Sequence, residues 1–347
     1  MSELLHPPLL VAGRVARAPA RVNLIGDHTD YTGGLVLPMA IDRWTEVSVR
    51  ATDDRLVVLD SDIEALPAVV PIDIEDPSAL TPAWARYIGG VVAELRPAHG
   101  WVGRVSSTVP AGSGLSSSAA LEVACALAIG GAPADPTLLA ALCQRAEHRA
   151  VGVPSGIMDQ LASMAGIAGH ALMIDCHALS ITPAPLPTDD EMAVVVVHSG
   201  QARTLAGSAY AERVAECRAA EAVIGPLRLA GAGDVVRIGD PTVRARARHV
   251  VTENARVRAF TAALGEGDTA EAGRLMNESH ESLRRDYAVS TAVLDGLCER
   301  LRAVPGVFGA RLTGAGFGGC VVAICRPGAL DEGWRVRAVD GASVVES

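Results

Sequence analysis

The chain has 347 residues, 49% of them hydrophobic, which is enough apolar surface for one large domain or two ordinary ones, and a net charge of −10 argues against a general affinity for nucleic acid or anionic membrane. All 30 of its basic Lys-or-Arg residues are arginine, which excludes the lysine phosphate loop, the catalytic lysine of protein kinases and any Schiff-base lysine. No apolar run reaches the length of a membrane span and MSELLHPPLL lacks a signal-peptide pattern, so a cytoplasmic protein is expected.

Residues 19–34, PARVNLIGDHTDYTGG, crowd Arg21, Asp27, His28, Asp30 and Tyr31 around the apolar Val22, Leu24 and Ile25, before a Gly33-Gly34 turn. An apolar anchor beneath clustered polar groups suits a fixed site for a small polar ligand. With a single histidine, hydrogen bonding to sugar hydroxyls is more economical here than a transition-metal site.

Alternation in Thr45–Arg50 and the run Leu56–Leu59 predict a hairpin or meander turning at Thr52-Asp53-Asp54. A helix is expected over 84–95, a strand over Trp101–Val109, then a glycine turn and a long buried helix stopped by Gly130-Gly131. Further helices are expected at 136–150 and after the Pro154-Ser155-Gly156 break. The acidic, proline-containing stretch before AVVVVH (193–198) marks a boundary within 180–192, giving domains 1–185 and 186–347. The second half reads as helices at about 203–223, 243–264, 273–287 and 291–303, with strands near Gly309–Arg311, Cys320–Cys325 and Trp334–Val339. Helices and strands without βα regularity indicate an α+β fold. The seven cysteines form no CxxC pair and read as reduced core residues.

Three further constellations carry chemistry. PAGSGLSSSAALEVA places Gly112, Gly114 and Ser116–Ser118 where a turn becomes a helix, so that free N–H groups and the positive helix end suit a phosphate; a serine-capped helix explains the same residues. GIMDQ sets Asp159 and Gln160 among apolar neighbours, which fits either a dipole contact or a base facing a cleft. Glu147, twelve residues earlier, is a solvated helix residue or a magnesium ligand. LTGAGFGGCVVAIC implies tight backbone packing or close approach of a ligand.

Together and in this order, ARVNLIGDHTDYTGG, PAGSGLSSSAALEVA, AEHRAVGVPSGIMDQ and LTGAGFGGC closely resemble the galactokinases of the GHMP small-molecule kinase superfamily, and the likeness runs through most of the chain from about residue 17. It implies an N-terminal ribosomal-protein-S5-like domain, a C-terminal ferredoxin-like domain and an active site between them. The implied reaction is ATP-dependent phosphorylation of the anomeric hydroxyl of D-galactose, with Mg2+. Asp159 then matches the catalytic base, and Arg21 the arginine that stabilises charge on the transferring phosphoryl group. Asp27, His28 and Asp30 match the positions that grip the sugar hydroxyls, Gly156 lines the pocket, and Tyr210 reaches the sugar from the second half. Gly112, Ser113, Gly114, Leu115, Ser116, Ser117 and Ser118 match the phosphate loop, Ser118 and Glu147 the magnesium ligands, and Trp84 a tryptophan beside the adenine.

Asp27 departs from the glutamate usual in the family, Ala20 replaces a usual glycine, and the N-terminus is short. The alternatives are a sugar 1-kinase for N-acetylgalactosamine, arabinose or a uronic acid, or a non-catalytic galactose and ATP sensor. Such sensors lack a Ser-Ala pair that this chain keeps at Ser118-Ala119. A monomer is expected.

Overall fold

A computed structural model describes residues 13–346 except 111, 132, 134 and 202–206. In chain order the strands are β1 (Arg14–Asn23), β2 (Leu35–Val36), β3 (Pro38–Thr52), β4 (Leu56–Ser61), β5 (Ala68–Pro71), β6 (Gly100–Ser107), β7 (His170–Asp175), β8 (Ser180–Pro185), β9 (Ala193–His198), β10 (Val307–Thr313), β11 (Cys320–Cys325), β12 (Trp334–Val336) and β13 (Ser343–Glu346). The helices are α1 (Ala85–Leu95), α2 (Ser117–Gly130), α3 (Pro136–Val151), α4 (Met158–Ala165), α5 (Gly207–Ile224), α6 (Ala232–Val235), α7 (Pro241–Gly265), α8 (Thr269–Arg285) and α9 (Ala292–Arg302). The mixture is α+β, as expected. The expected helix beginning near 203 starts at Gly207, and its first residues lie outside the described ones.

Among the described residues the strands form three sheets: β13-β1-β3-β6-β4-β5, β2-β7-β8 and β10-β11-β9-β12. The expected hairpin between β3 and β4 does not form. β6 lies between them, antiparallel to β3 and parallel to β4, with Val105 facing Val47 and Val58 facing Val102. The second half is not self-contained either, since its last strand returns to pair antiparallel with β1, Val15 facing Val345.

Packing follows the alternation of side chains along the strands. Helices α1, α2 and α4 cover one face of the first sheet, with α2 at the centre of that layer, and α3 packs against these three helices. In β9, Ala193, Val195 and Val197 point to a core under the helices of the second half. Val194 and Val196 point the other way, into a core shared with Val22, Leu24, Ile25, Leu37 and Met39. AVVVVH is apolar throughout because both its faces are covered. Full burial of Leu24 and Ile25, worth about 1.5–3 kcal/mol each, fixes the backbone of the polar segment that follows them.

The helices of the site begin where local chemistry directs. α3 starts with Pro136 behind Asp135, whose side chain accepts from the Thr137 N–H, and stops at Gly152 in a left-handed conformation. α4 starts just past the Pro154-Ser155-Gly156 break. All seven cysteines are free and buried. Among the described residues no helix is long and apolar enough to cross a membrane.

Candidate active site

The end of β1, the start of α2 and the start of α4 meet at one ion pair. Arg21 donates to Asp159 through both arms of its fork, Nε to Oδ1 at 2.7 Å and Nη2 to Oδ2 at 2.8 Å. The partners differ in exposure: the Arg21 side chain is 4% exposed and that of Asp159 27%, so the carboxylate is held from behind and open on one side. Arg21 Nη1 also donates to the Gly114 carbonyl at 2.9 Å, and the Ser116 hydroxyl donates to Asp159 Oδ2. The glycine-serine loop and the carboxylate are therefore joined through Arg21 and Ser116, two of the positions singled out in the sequence.

Gly112 and Gly114 both adopt positive φ, 68° and 78°, which a side chain would strain. Gly112 and Ser117 are exposed and Ser118 half-buried, whereas Ser113, Leu115 and Ser116 lie beneath them, so the loop presents backbone N–H groups and hydroxyls at the N-terminus of α2. The Ser118 hydroxyl donates to Glu147 Oε1 at 3.2 Å. The other oxygen of Glu147 accepts from Ser155 at 2.9 Å and from Gln160 at 3.0 Å. Burial, followed by the charge of Asp159, pushes the Glu147 carboxyl up from its ordinary range. Two hard oxygens side by side suit magnesium, which usually takes one or two protein ligands and completes its shell with phosphate and water. Among the described residues no group of three His, Cys, Asp or Glu side chains forms a closed cage.

The sugar motif lies on the open side of Asp159. Asp30 touches Gly156 so closely that a Cβ on that glycine would meet Asp30 Oδ2 at 1.8 Å, which explains the need for glycine. Burial and the neighbouring Asp159 push the Asp30 carboxyl up to about 7. Between 3.8 and about 7 the folded protein keeps a proton that the unfolded chain has released, so the contribution of Asp30 to stability falls as pH rises through that window. Asp30→Asn is expected to flatten the decline across this range in thermal melts; an unchanged pH slope would refute that assignment.

Tyr210 reaches the motif from α5, with ring centroids 5.7 Å from His28 and 5.4 Å from Tyr31. Burial, followed by the charges of Asp30 and Asp159, pushes its hydroxyl pKa up. Tyr287 completes an aromatic box, 4.7 Å from His28, so three of the four tyrosines in the chain gather here. His28 Nε2 donates to the Ala315 carbonyl at 3.1 Å, which leaves Nδ1 of the neutral ring to accept from the Tyr31 hydroxyl at 3.0 Å.

Asp27 and His28 thus sit differently from Asp30. Asp27 is 1% exposed, its Oδ1 accepts from the Gly314 N–H at 2.9 Å and its Oδ2 lies 2.5 Å from Arg311 Nη2. Asp27 and His28, read in the sequence as groups that grip sugar hydroxyls, make these contacts with the protein itself. Burial pushes the Asp27 carboxyl up against the opposing pull of Arg311. Around this pair, Arg311 Nη1 donates to the Leu24 carbonyl at 3.1 Å, and Glu253 accepts from the Gly26 N–H at 3.0 Å. Burial raises the Glu253 carboxyl, yet Arg256, His249 and Arg311 together hold it at about 2. His249, kept neutral by burial with its pKa lowered to about 4, donates from Nε2 to the Asp27 carbonyl. The glycine run 314–319 belongs to the same clamp, so its role is close approach to the sugar motif, with Thr313 exchanging hydrogen bonds with Asn23.

Arg311, Glu253, Tyr287 and Ser155 carry this geometry without having been singled out in the sequence. Arg311 had a usable signal, standing just before LTGAGFGGC. Trp84 lies at the start of α1, buried in the N-terminal core, its indole N–H donating to the Leu66 carbonyl at 3.0 Å.

Three family models match successive stretches of the chain: the galactokinase galactose-binding signature over residues 11–51, the GHMP kinases N terminal domain over 86–167 and the GHMP kinases C terminal domain over 260–336. A galactokinase from Chloroflexus aggregans is 45% identical over 342 residues, covering 92% of this chain and 85% of that protein. The Homo sapiens galactokinase is 42% identical with the same coverage of both. A crystal structure of Lactococcus lactis galactokinase complexed with galactose superposes with a TM-score of 0.88 at 30% identity, covering 95% of each chain.

Proposed function

The chain belongs to the galactokinase family of GHMP kinases, and on that premise we infer that it transfers the γ-phosphoryl group of ATP to the O1 hydroxyl of D-galactose, with Asp159 as base. The observation that carries this reading is the junction of Arg21, Asp159 and Ser116, which sets an open carboxylate between a phosphate-binding turn and a sugar motif.

A carboxylate offers about four lone-pair sites, and three on Asp159 are taken by Arg21 and Ser116, which leaves one directed at the open side. There Asp159 accepts the O1 proton while O1 forms its bond to the γ-phosphorus, and the bond from that phosphorus to the bridging oxygen of ADP breaks. Arg21 keeps the base in one orientation and places positive charge near the transferring group. The N–H groups at the start of α2 bind phosphate oxygens. Ser118 and Glu147 would hold Mg2+, which would offset the charge of the nucleotide phosphates when bound. Asp30 and Tyr210 face the sugar directly, while Asp27 and His28 hold the loop that presents Asp30. Trp84 is assigned to the adenine side through the family resemblance. The chain acts in the cytoplasm as a monomer in this reading.

A panel of sugars incubated with ATP and Mg2+ tests it, phosphorus NMR locating the new ester. Galactose 1-phosphate as the preferred product is expected. Preference for N-acetylgalactosamine, arabinose or a uronic acid would overturn the substrate and point to the withdrawn Asp27 as the cause, and binding without any product would favour a sensor.

A further inference from the structure

From Ala119 to Ile129 helix α2 is buried and apolar with one exception, Glu122, whose carboxyl is fully enclosed. Such a position is ordinarily filled by an apolar residue at lower cost, because burying a carboxyl with incomplete hydrogen bonding is unfavourable. Stability does not account for Glu122. Its oxygens are unequal: Oε2 accepts from Gln160 Nε2 at 3.3 Å, and Oε1 has no hydrogen-bond partner among the described residues.

Two further contacts give the residue a direction. Gln160 is itself fully buried, and the same Nε2 that reaches Glu122 also donates to Glu147 Oε2 at 3.0 Å. Glu147 in turn directs Oε1 at the Ser118 hydroxyl, 3.2 Å away. Ser118 stands one helical turn before Glu122 on the same face of α2. Ser118, Glu147, Gln160 and Glu122 thus form a chain that leaves α2, crosses α3 and α4 and returns to α2. Its outer end is the pair of oxygens assigned above to magnesium, and its inner end is the orphaned acid.

We propose that Glu122 is a positioning residue of the cation site: it fixes the amide of Gln160, which turns Glu147 so that Oε1 is presented beside Ser118. The inference rests on the reading of Ser118 and Glu147 as cation ligands. Outer partners of this kind commonly change metal affinity by about 10- to 100-fold when removed, because they set ligand orientation rather than ligand identity.

The test is the Mn2+ affinity of the full-length enzyme–ADP complex, read by electron paramagnetic resonance without turnover. Glu122→Leu is expected to weaken Mn2+ binding about tenfold, whereas Glu122→Gln, which keeps an oxygen acceptor for Gln160, stays within about twofold of the parent. Parent-like Mn2+ affinity in Glu122→Leu, or an equal loss in Glu122→Gln, overturns the proposal. Should Glu122→Leu fail to fold, Gln160→Leu gives the same reading: a comparable loss supports the chain of contacts and unchanged affinity removes it. Glu147→Gln separates the two levels. If it binds Mn2+ like the parent, the ligand assignment itself falls; if it loses Mn2+ while Glu122→Leu does not, only the positioning role falls.

Discussion

Asp159→Asn is expected to lower kcat about 10³-fold while galactose affinity, measured by calorimetry, stays within about threefold of the parent; the rate effect is of the size that positioned proton transfer supplies. It corresponds to about 4 kcal/mol of transition-state stabilisation. Asparagine is the informative replacement. Its carbonyl oxygen can still accept from Arg21 Nε, as Asp159 Oδ1 does at 2.7 Å, so the buried guanidinium keeps a partner. Asp159→Ala would leave Arg21, 4% exposed, as an uncompensated charge and mix a folding defect into the rate. The amide cannot take the O1 proton, so chemistry is expected to be lost while galactose binding persists. A kcat within tenfold of the parent would sink the assignment of Asp159 as base. A large loss of galactose affinity at unchanged kcat would make it a binding group.

The second large effect is on stability. Arg311→Met is expected to cost about 3–5 kcal/mol in urea unfolding, the range for breaking a buried pair from one side. The arginine is fully buried and 2.5 Å from Asp27, so its removal strands the Asp27 carboxyl inside the protein, while Glu253, 4.0 Å away, keeps its pair with Arg256 at 2.8 Å. It also removes the hydrogen bond to the Leu24 carbonyl that ties the sugar motif to β10. The double variant Asp27→Asn with Arg311→Met should recover part of the loss, since one stranded charge becomes a neutral amide. A single-variant cost below about 1 kcal/mol, or no recovery in the double variant, would show that the pair does not hold the motif in place.

The helices were legible because their chemistry is local. Asp135-Pro136 and Asp240-Pro241 mark two N-termini, each aspartate accepting the backbone N–H groups the new helix leaves free. The long α2 was legible from a run of apolar residues broken only by Glu122 between Ala119 and Ile129. Strand partners were not, because nothing in Thr45–Arg50 or Leu56–Leu59 announces that a third strand from residues 100–107 will come between them. β7 and β8, six residues each, were passed over altogether, since β8 (SITPAP) carries two prolines and little apolar content. The site divides in the same way. Arg21 and Asp159 are 138 residues apart, yet each stood out by its own polar setting in an apolar segment. Arg311 and Leu24 are 287 residues apart, and although Arg311 stands just before LTGAGFGGC, nothing near it in sequence names the partner it meets. Without that partner in view, Asp27 read as a group that grips a sugar hydroxyl, and its burial against Arg311 could not be foreseen.

The pairing of β13 with β1 sets an order on synthesis. Residues Arg14–Arg17 leave the ribosome early, but the strand segment that covers their open edge, Ser343–Glu346, is made hundreds of residues later. Until then the first half carries an unpaired strand edge, Arg14-Val15-Ala16-Arg17, available to any extended segment nearby. The arginines of this edge, one of them bound to Glu46 on β3, then act as gatekeepers that keep a nascent sheet from recruiting its neighbours on the polysome.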